Sequence, residues 1–175
     1  LSSAGFLVLR AYEAFRTTRA ITALEARARR TLCRAANELV GTSQGWLMPD
    51  PTGGLGCAAL TFARPIDFAA GELVYGPSER LEWSREPGEL DDGLDQDGDG
   101  LVDEGELLLV RRAGDPDEQS TVIARGVAEH LAGETADGDD DNGNGLVDEH
   151  GFDVERAGEV LTVRLTLQGT LPDGR

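Results

Sequence analysis

The stretch from Asp95 to Glu106, DQDGDGLVDEGE, sets oxygen-bearing side chains at a spacing that can close around a hard cation. Asp95, Asp97, Asp99, Asp103 and Glu106 hold its first, third, fifth, ninth and twelfth places, and Gly100 holds the sixth. In an EF-hand-type loop these places converge on one calcium ion. Three early carboxylates, the backbone carbonyl of Leu101, Asp103 directly or through water, and a bidentate Glu106 form the shell. Gly100 permits the sharp turn that gathers them.

A second copy follows. Asp140 to Glu149 reads DDNGNGLVDE, with Asp140, Asn142, Asn144, Leu146 and Asp148 in the matching places and Gly145 at the turn. GLVDE occurs at both 100–104 and 145–149, and Asp92-Gly93 is echoed by Asp137-Gly138. Asp/Gly/Asn runs also form ordinary solvated turns, but the duplication and the agreement at six places in the first loop weigh against that reading. The twelfth place of the second loop is Gly151, so Glu149, Asp153 or Asp139 is needed to complete its shell. The expectation is two calcium ions, in loops 91–106 and 137–153, with the first loop the stronger.

The charge of the chain has the same origin. Its 175 residues carry a net charge of −17, with 33 acidic residues against 16 basic ones. Nine of the acids lie in 89–106 and seven in 134–149, windows without a basic residue, so the remaining 17 acids nearly balance the 16 bases. Metal-free loops of this density repel themselves. Every basic residue is arginine, and Arg10, Arg16, Arg19, Arg27, Arg29, Arg30 and Arg34 fall in the first forty positions. No basic face carries stacking aromatics, which argues against nucleic acid as a partner. Cys33 and Cys57 are compatible with one disulfide in an oxidising compartment or with two buried thiols.

The elements that must position the loops follow from periodicity. Phe15, Ile21, Leu24, Ala28, Leu32, Ala35 and Leu39 recur mostly three or four apart, in a stretch free of proline and glycine from Phe6 to Val40. That pattern predicts one long amphipathic helix stopping at Gly41, roughly 50 Å long and too long for this domain to cover. Leu1–Leu9 is apolar but short of the roughly 20 residues a membrane span needs. Because the chain opens on leucine, the expectation is a trimmed chain whose hydrophobic segment continues upstream. Residues 1–40 are thus read as the end of an assembly or anchor segment and 41–175 as a globular β domain.

Within that domain, 41–56 reads as a loop anchored by Trp46 and Met48, and strands are predicted at Ala58–Phe62, Glu72–Tyr75, Arg80–Trp83, Leu107–Arg111, Thr121–Ala124 and Val160–Leu167. In the last, Leu161, Val163, Leu165 and Leu167 alternate with polar residues and should face a core. The predicted fold class is α+β: a long N-terminal amphipathic helix packed on an antiparallel sheet, with two acidic calcium loops between strands. The residues after Glu106, LLLV, favour a strand over an exit helix. The helix-swinging mechanism of calcium sensors therefore has no counterpart here, and structural calcium is the better reading.

Catalytic patterns are weak. Gly54-Leu-Gly56-Cys-Ala-Ala59 matches a dinucleotide fingerprint only loosely and follows no strand. His130 and His150 each stand alone in sequence, no nucleophile elbow is present, and the carboxylates fit cation binding without an aromatic cleft for glycoside chemistry. A non-enzymatic role is expected.

The helix FLVLRAYEAFRTTRAITALEARARRTLCRAANELVG, the segments GCAALTF and GELVYG, and the run TVIARGVAEHL followed by EVLTVRLTLQG resemble the type IV pilin and type II secretion pseudopilin superfamily, most closely the W-type minor pilins and J-type pseudopilins. The resemblance covers most of the chain. It implies a pilin-like fold and a membrane-anchored precursor trimmed by a prepilin peptidase. The subunit would then enter a filament or its tip through the helix, with other pilins and the inner membrane of a bacterial envelope as its partners. The family's cleavage motif would lie upstream of Leu1, and no glutamate of this chain takes its assembly role. The two acidic loops depart from the family pattern, although calcium sites are familiar within it. The alternative from another class is a calcium-dependent cell-surface binding or adhesion module anchored by the same helix.

Overall fold

The computed structural model describes residues 3–50 and 58–170, with side chains of the helix described from Tyr12 onward. Helix α1 (Ser3–Leu39) is unbroken over 37 residues, as its wealth of alanine, arginine and glutamate favours. It stops where the sequence places Gly41: the Thr42 amide and hydroxyl both donate to the Leu39 carbonyl, at 3.2 and 2.8 Å.

Eight strands follow: β1 (Ala59–Phe62), β2 (Pro65–Ala69), β3 (Glu72–Tyr75), β4 (Glu79–Arg85), β5 (Gly105–Arg111), β6 (Gln119–Val127), β7 (Phe152–Ala157) and β8 (Val160–Leu165). They form three antiparallel sheets: a four-stranded one in the order β1-β4-β5-β6, the hairpin β2-β3 and the hairpin β7-β8. An isolated bridge between Val127 and Leu167 ties the end of β6 to the chain beyond β8.

This corrects the expected architecture. The chain is mostly β, in several sheets, and its helix is not a long apolar cover over a single sheet. Among the described side chains of α1 the buried ones are Thr31, Ala35 and Leu39, in its last turns, while Leu24 lies against Gly169. The physical reason is the size of the receiving surface. Strands of four to nine residues offer roughly 13–30 Å, against about 55 Å of helix. Phe15 and Ile21 of the predicted stripe are 64% and 47% exposed, and Tyr12 is 58% exposed. Among the described residues, no helix is long and apolar enough to cross a membrane.

The core joins Ala35, Leu39 and Leu47 to Leu60, Phe62, Leu81, Leu107, Leu109 and Val127 of the four-stranded sheet and to Phe152 and Val154 of β7. Leu161, Val163, Leu165 and Leu167 pack against it, on the face their alternation indicates. Leu47, between the two expected loop anchors, is the buried one. Trp46 instead packs against Tyr75 at a tilt of 35°, with ring centroids 4.8 Å apart, and Met48 is exposed but bridges Thr61 through its backbone. Cys33 is exposed on α1, whereas Cys57, its proposed disulfide partner, lies outside the described residues, as does most of the Gly54–Ala59 motif.

Candidate metal centre

Both acidic segments sit between strands. The first leaves the sheet after Arg85 and returns at Gly105, a register pair of β4 and β5. The second connects β6 to β7. At the neck of the first loop the Glu86 amide donates to the Glu104 carbonyl at 3.2 Å, and the Glu89 amide donates to the Glu86 carbonyl at 3.1 Å. Forty-five residues later Leu131 donates to Glu149, and Glu134 to Leu131, both at 3.0 Å. The structural repeat therefore starts before Asp92 and Asp137, where the sequence echo was plain.

Inside the loops the same bonds recur. Asp95 accepts from the amides of Gly98 and Gly100 at 2.6 and 2.9 Å, as Asp140 does from Gly143 and Gly145 at 2.7 and 2.8 Å. Asp97 accepts from Asp99, and Asp99 from Leu101, each at 2.9 Å; Asn142 and Asn144 do likewise to Asn144 and Leu146 at 3.0 and 2.8 Å. Each early side chain thus folds the backbone around itself through an Asx-type turn. Gly100 and Gly145 sit at φ +90° and +89°, a region costly for side chains with a Cβ.

The ninth-place residues have a structural task. Asp103 accepts from the Asp92 and Gly93 amides at 3.2 and 2.9 Å, and Asp148 accepts from Asp137 and Gly138. Both take a left-handed backbone, at φ 52° and 51°, which aspartate tolerates better than most residues. They lock the start of each loop to its end. Asp103 also joins a group with Asp91 and Glu129, but the Arg85 guanidinium lies among all three, at 4.0, 3.7 and 2.6 Å. That arginine offsets one of the three negative charges and occupies the space between them.

The remaining carboxylates could hold a metal ion. Glu89, Asp95 and Asp97 place one oxygen each within 4.8 Å of one another, and Asp97, Asp99 and Glu104 do the same. Sharing Asp97, the two groups make one constellation of five carboxylates. Glu106, the expected twelfth-place ligand, is elsewhere. It lies in β5, opposite Ser84, with Arg125 Nη2 3.0 Å from its Oε1. Burial holds the Glu106 carboxyl above the usual carboxylate range, Arg125 pulls it down, and Glu86 adds to the rise.

Glu89 was invisible to the twelve-place frame because it precedes the first aspartate. Its Oε1 accepts from the amides of Gln96 and Asp97, both at 3.1 Å. Glu134 does the equivalent for Asn142 at 2.9 Å and also accepts from Asp148 at 3.2 Å. The one sequence signal was the Gly-Glu pair at 88–89 repeated at 133–134. Of the residues considered for completing the second shell, Glu149 is buried beside Asn144, whose Nδ2 lies 2.6 Å from its Oε1. Asp153 is instead in β7, bonded to Arg164 at 3.1 Å. Asp139 donates its amide to Asp137 at the loop's start.

The two histidines, isolated in sequence, are neighbours in space. They face each other across a β-bridge, their rings stack at 6.0 Å, and His150 stacks on Trp83 at 4.5 Å. Comparison with known protein families, curated proteins and solved structures returned no match.

Proposed function

We propose that this chain is a calcium-stabilised structural subunit of a bacterial cell-envelope filament, a type IV pilus or type II secretion pseudopilus, assembled through α1. The observation that carries the assembly reading is the uncovered helix. Tyr12, Phe15 and Ile21 remain largely exposed while its last turns are bound to the sheets. Apolar residues on an element that outruns its own domain gain most by burial among neighbouring helices. The helix is the part offered to other subunits, and the β domain is the part displayed.

Calcium fits the two loops by chemistry. The donors are all oxygen and several are charged, which suits an ion that takes six to eight oxygen ligands at variable angles. One ion in each loop would offset four of the negative charges concentrated there. The flanking strands give the ions a clasping role. Cross-linking through a cysteine placed at Phe15, in the cell that makes the protein, tests the assembly reading. Cross-links between copies or to other pilin-type subunits are expected; a chain that stays isolated from them overturns it.

The alternative, a calcium-dependent surface-binding module, is favoured by one observation. Hairpin β2-β3 exposes Ile66, Phe68 and Leu73, an apolar tip suited to a partner. Substituting Phe68→Ser together with Ile66→Ser separates the two. Filament incorporation survives under the assembly reading, whereas adhesion is lost under the alternative.

A further inference from the structure

We infer that each ion is closed in by a pair of buried glutamates, Glu89 with Glu104 in the first loop and Glu134 with Glu149 in the second, and that Glu106 is no ligand. The inference rests on the calcium reading above and assigns its ligands. The first observation is the constellation itself, in which Glu89 lies within ligand-sharing distance of Asp95 and Asp97, Glu104 within that distance of Asp97 and Asp99, and Asp97 is common to both groups.

The second observation is independent of the acidic clustering. Glu104 is 0% exposed, yet neither of its carboxylate oxygens has a hydrogen-bond partner. Glu89, 5% exposed, keeps Oε2 unpartnered while its other oxygen organises the loop backbone. A carboxylate removed from water without a donor is strongly disfavoured. Among the described residues no arginine pairs with Glu104, although Arg125 serves Glu86 and Glu106, and Arg85 serves Glu129. Its oxygens face Asp97 and Asp99, so a cation among them would satisfy all three groups at once.

The third observation is the repeat. Glu149 is 6% exposed with Oε2 unpartnered, at the position equivalent to Glu104. Glu134 is buried at the position equivalent to Glu89. Places three and five change from acid to amide between the first loop and the second, while both glutamates stay glutamate. With Glu149 as the closing ligand, Gly151 at the second loop's twelfth place leaves nothing missing. That glycine has another reason to exist: a Cβ there would lie 2.0 Å from the Ala128 carbonyl oxygen.

The resulting unit reads Glu-x5-Asp-x-Asp/Asn-x-Asp/Asn-Gly-x3-Glu, from 89 to 104 and from 134 to 149. Five side chains and the Leu101 carbonyl supply at least six oxygens in the first loop, enough for calcium.

Calorimetric titration of the whole chain with calcium chloride tests this, with Glu104→Gln, Glu149→Gln and Glu106→Gln titrated beside it. Wild type should bind two ions. Glu104→Gln and Glu149→Gln should each weaken one of them by roughly tenfold or more, a scale that even outer-shell changes reach, and Glu106→Gln should keep both within about twofold. Loss of an ion in Glu106→Gln with retention in Glu104→Gln overturns the ligand assignment while leaving the calcium reading intact. A wild-type chain that binds no calcium overturns the calcium reading itself. Far-UV circular dichroism in chelator reports folding of each variant, and Glu149→Gln carries the same test in the second loop should Glu104→Gln fail to fold.

Discussion

Arg85 and Glu129 tie the necks of the two acidic loops together, with Arg85 Nη2 2.6 Å from Glu129 Oε1. Arg85 precedes the residue at which the first loop leaves the sheet, and its Nη1 also reaches the Asp103 carbonyl at 3.4 Å. Glu129 carries the connection into the second loop. Its carbonyl accepts from the Gly151 amide at 3.0 Å, and His150 Nδ1 lies at the same distance. Anything that orders one loop therefore acts on a contact that belongs to both.

Replacing Arg85 by alanine should destabilise the chain by about 1–2 kcal/mol, between the values of exposed and buried ion pairs, because both partners are only partly exposed. For a domain of this size that lowers Tm by about 2–8 °C. The calcium affinity of both loops should fall as well. A double-mutant cycle with Glu129→Gln, read by calcium titration, should show non-additivity; additive losses would mean that the loops bind independently.

Removing calcium should cost stability that returns on adding it back. For a site with a Kd of about 10⁻⁴ M, the tighter end of the range expected of extracellular modules, calcium at a hundredfold excess adds about 2.7 kcal/mol. One such site raises Tm by about 5–10 °C. Differential scanning calorimetry in 10 mM calcium and in chelator measures the shift, and coincident melts would remove calcium from the account.

The effect of Glu104→Gln should change sign with calcium. Burial holds the Glu104 carboxyl above the usual carboxylate range, the nearness of its own backbone amide offsets part of this, and the charges of Asp99, Glu89 and Glu86 add to the rise. A carboxyl with a raised folded-state pKa favours folding when protonated, and that contribution is lost as pH climbs through the folded value. In chelator the wild type should therefore lose stability as pH rises past the ordinary glutamate range. The neutral glutamine avoids that loss, so Glu104→Gln should melt higher than wild type at pH 7 without calcium and lower with it. Thermal melts under the four conditions check the crossing; a variant that melts lower in both states would assign Glu104 a purely structural role.

Much of this arrangement was legible because its signals are local. Alternation marked Leu161, Val163, Leu165 and Leu167, and strand propensity marked β3 with the bounds observed. Strand β7 was missed because FDVERA carries charge at Asp153, Glu155 and Arg156, and its burial is made tolerable by Arg164 from the adjacent strand, a non-local partner. Strand β2 was missed because it opens on Pro65 and is exposed along its length. The excess length of the helix over its domain is legible from its periodicity, but the division of the strands it meets into three sheets is not, since periodicity reports a face and says nothing of what receives it. The loop carboxylates show the same division. Asp95, Asp97 and Asp99 follow from a spacing rule, while Glu89 and Glu104 are defined by burial, which only the folded neck creates.

The two loops should differ in strength, with the first binding calcium more tightly. It offers five carboxylates, Glu89, Asp95, Asp97, Asp99 and Glu104, where the second offers Glu134, Asp140 and Glu149 with the amides of Asn142 and Asn144. More ligand charge raises affinity for calcium and also makes binding more sensitive to screening by salt. Asp95→Ala should accordingly remove the tighter of two calorimetric transitions and Asp140→Ala the weaker. Raising the salt concentration should narrow the gap between them, because the first loop has the greater charge to screen. Equal losses from the two substitutions, or a gap that widens with salt, would show that backbone preorganisation sets the order. The closely matched bonding of Asp95 and Asp140 to their glycine amides gives that outcome no structural basis.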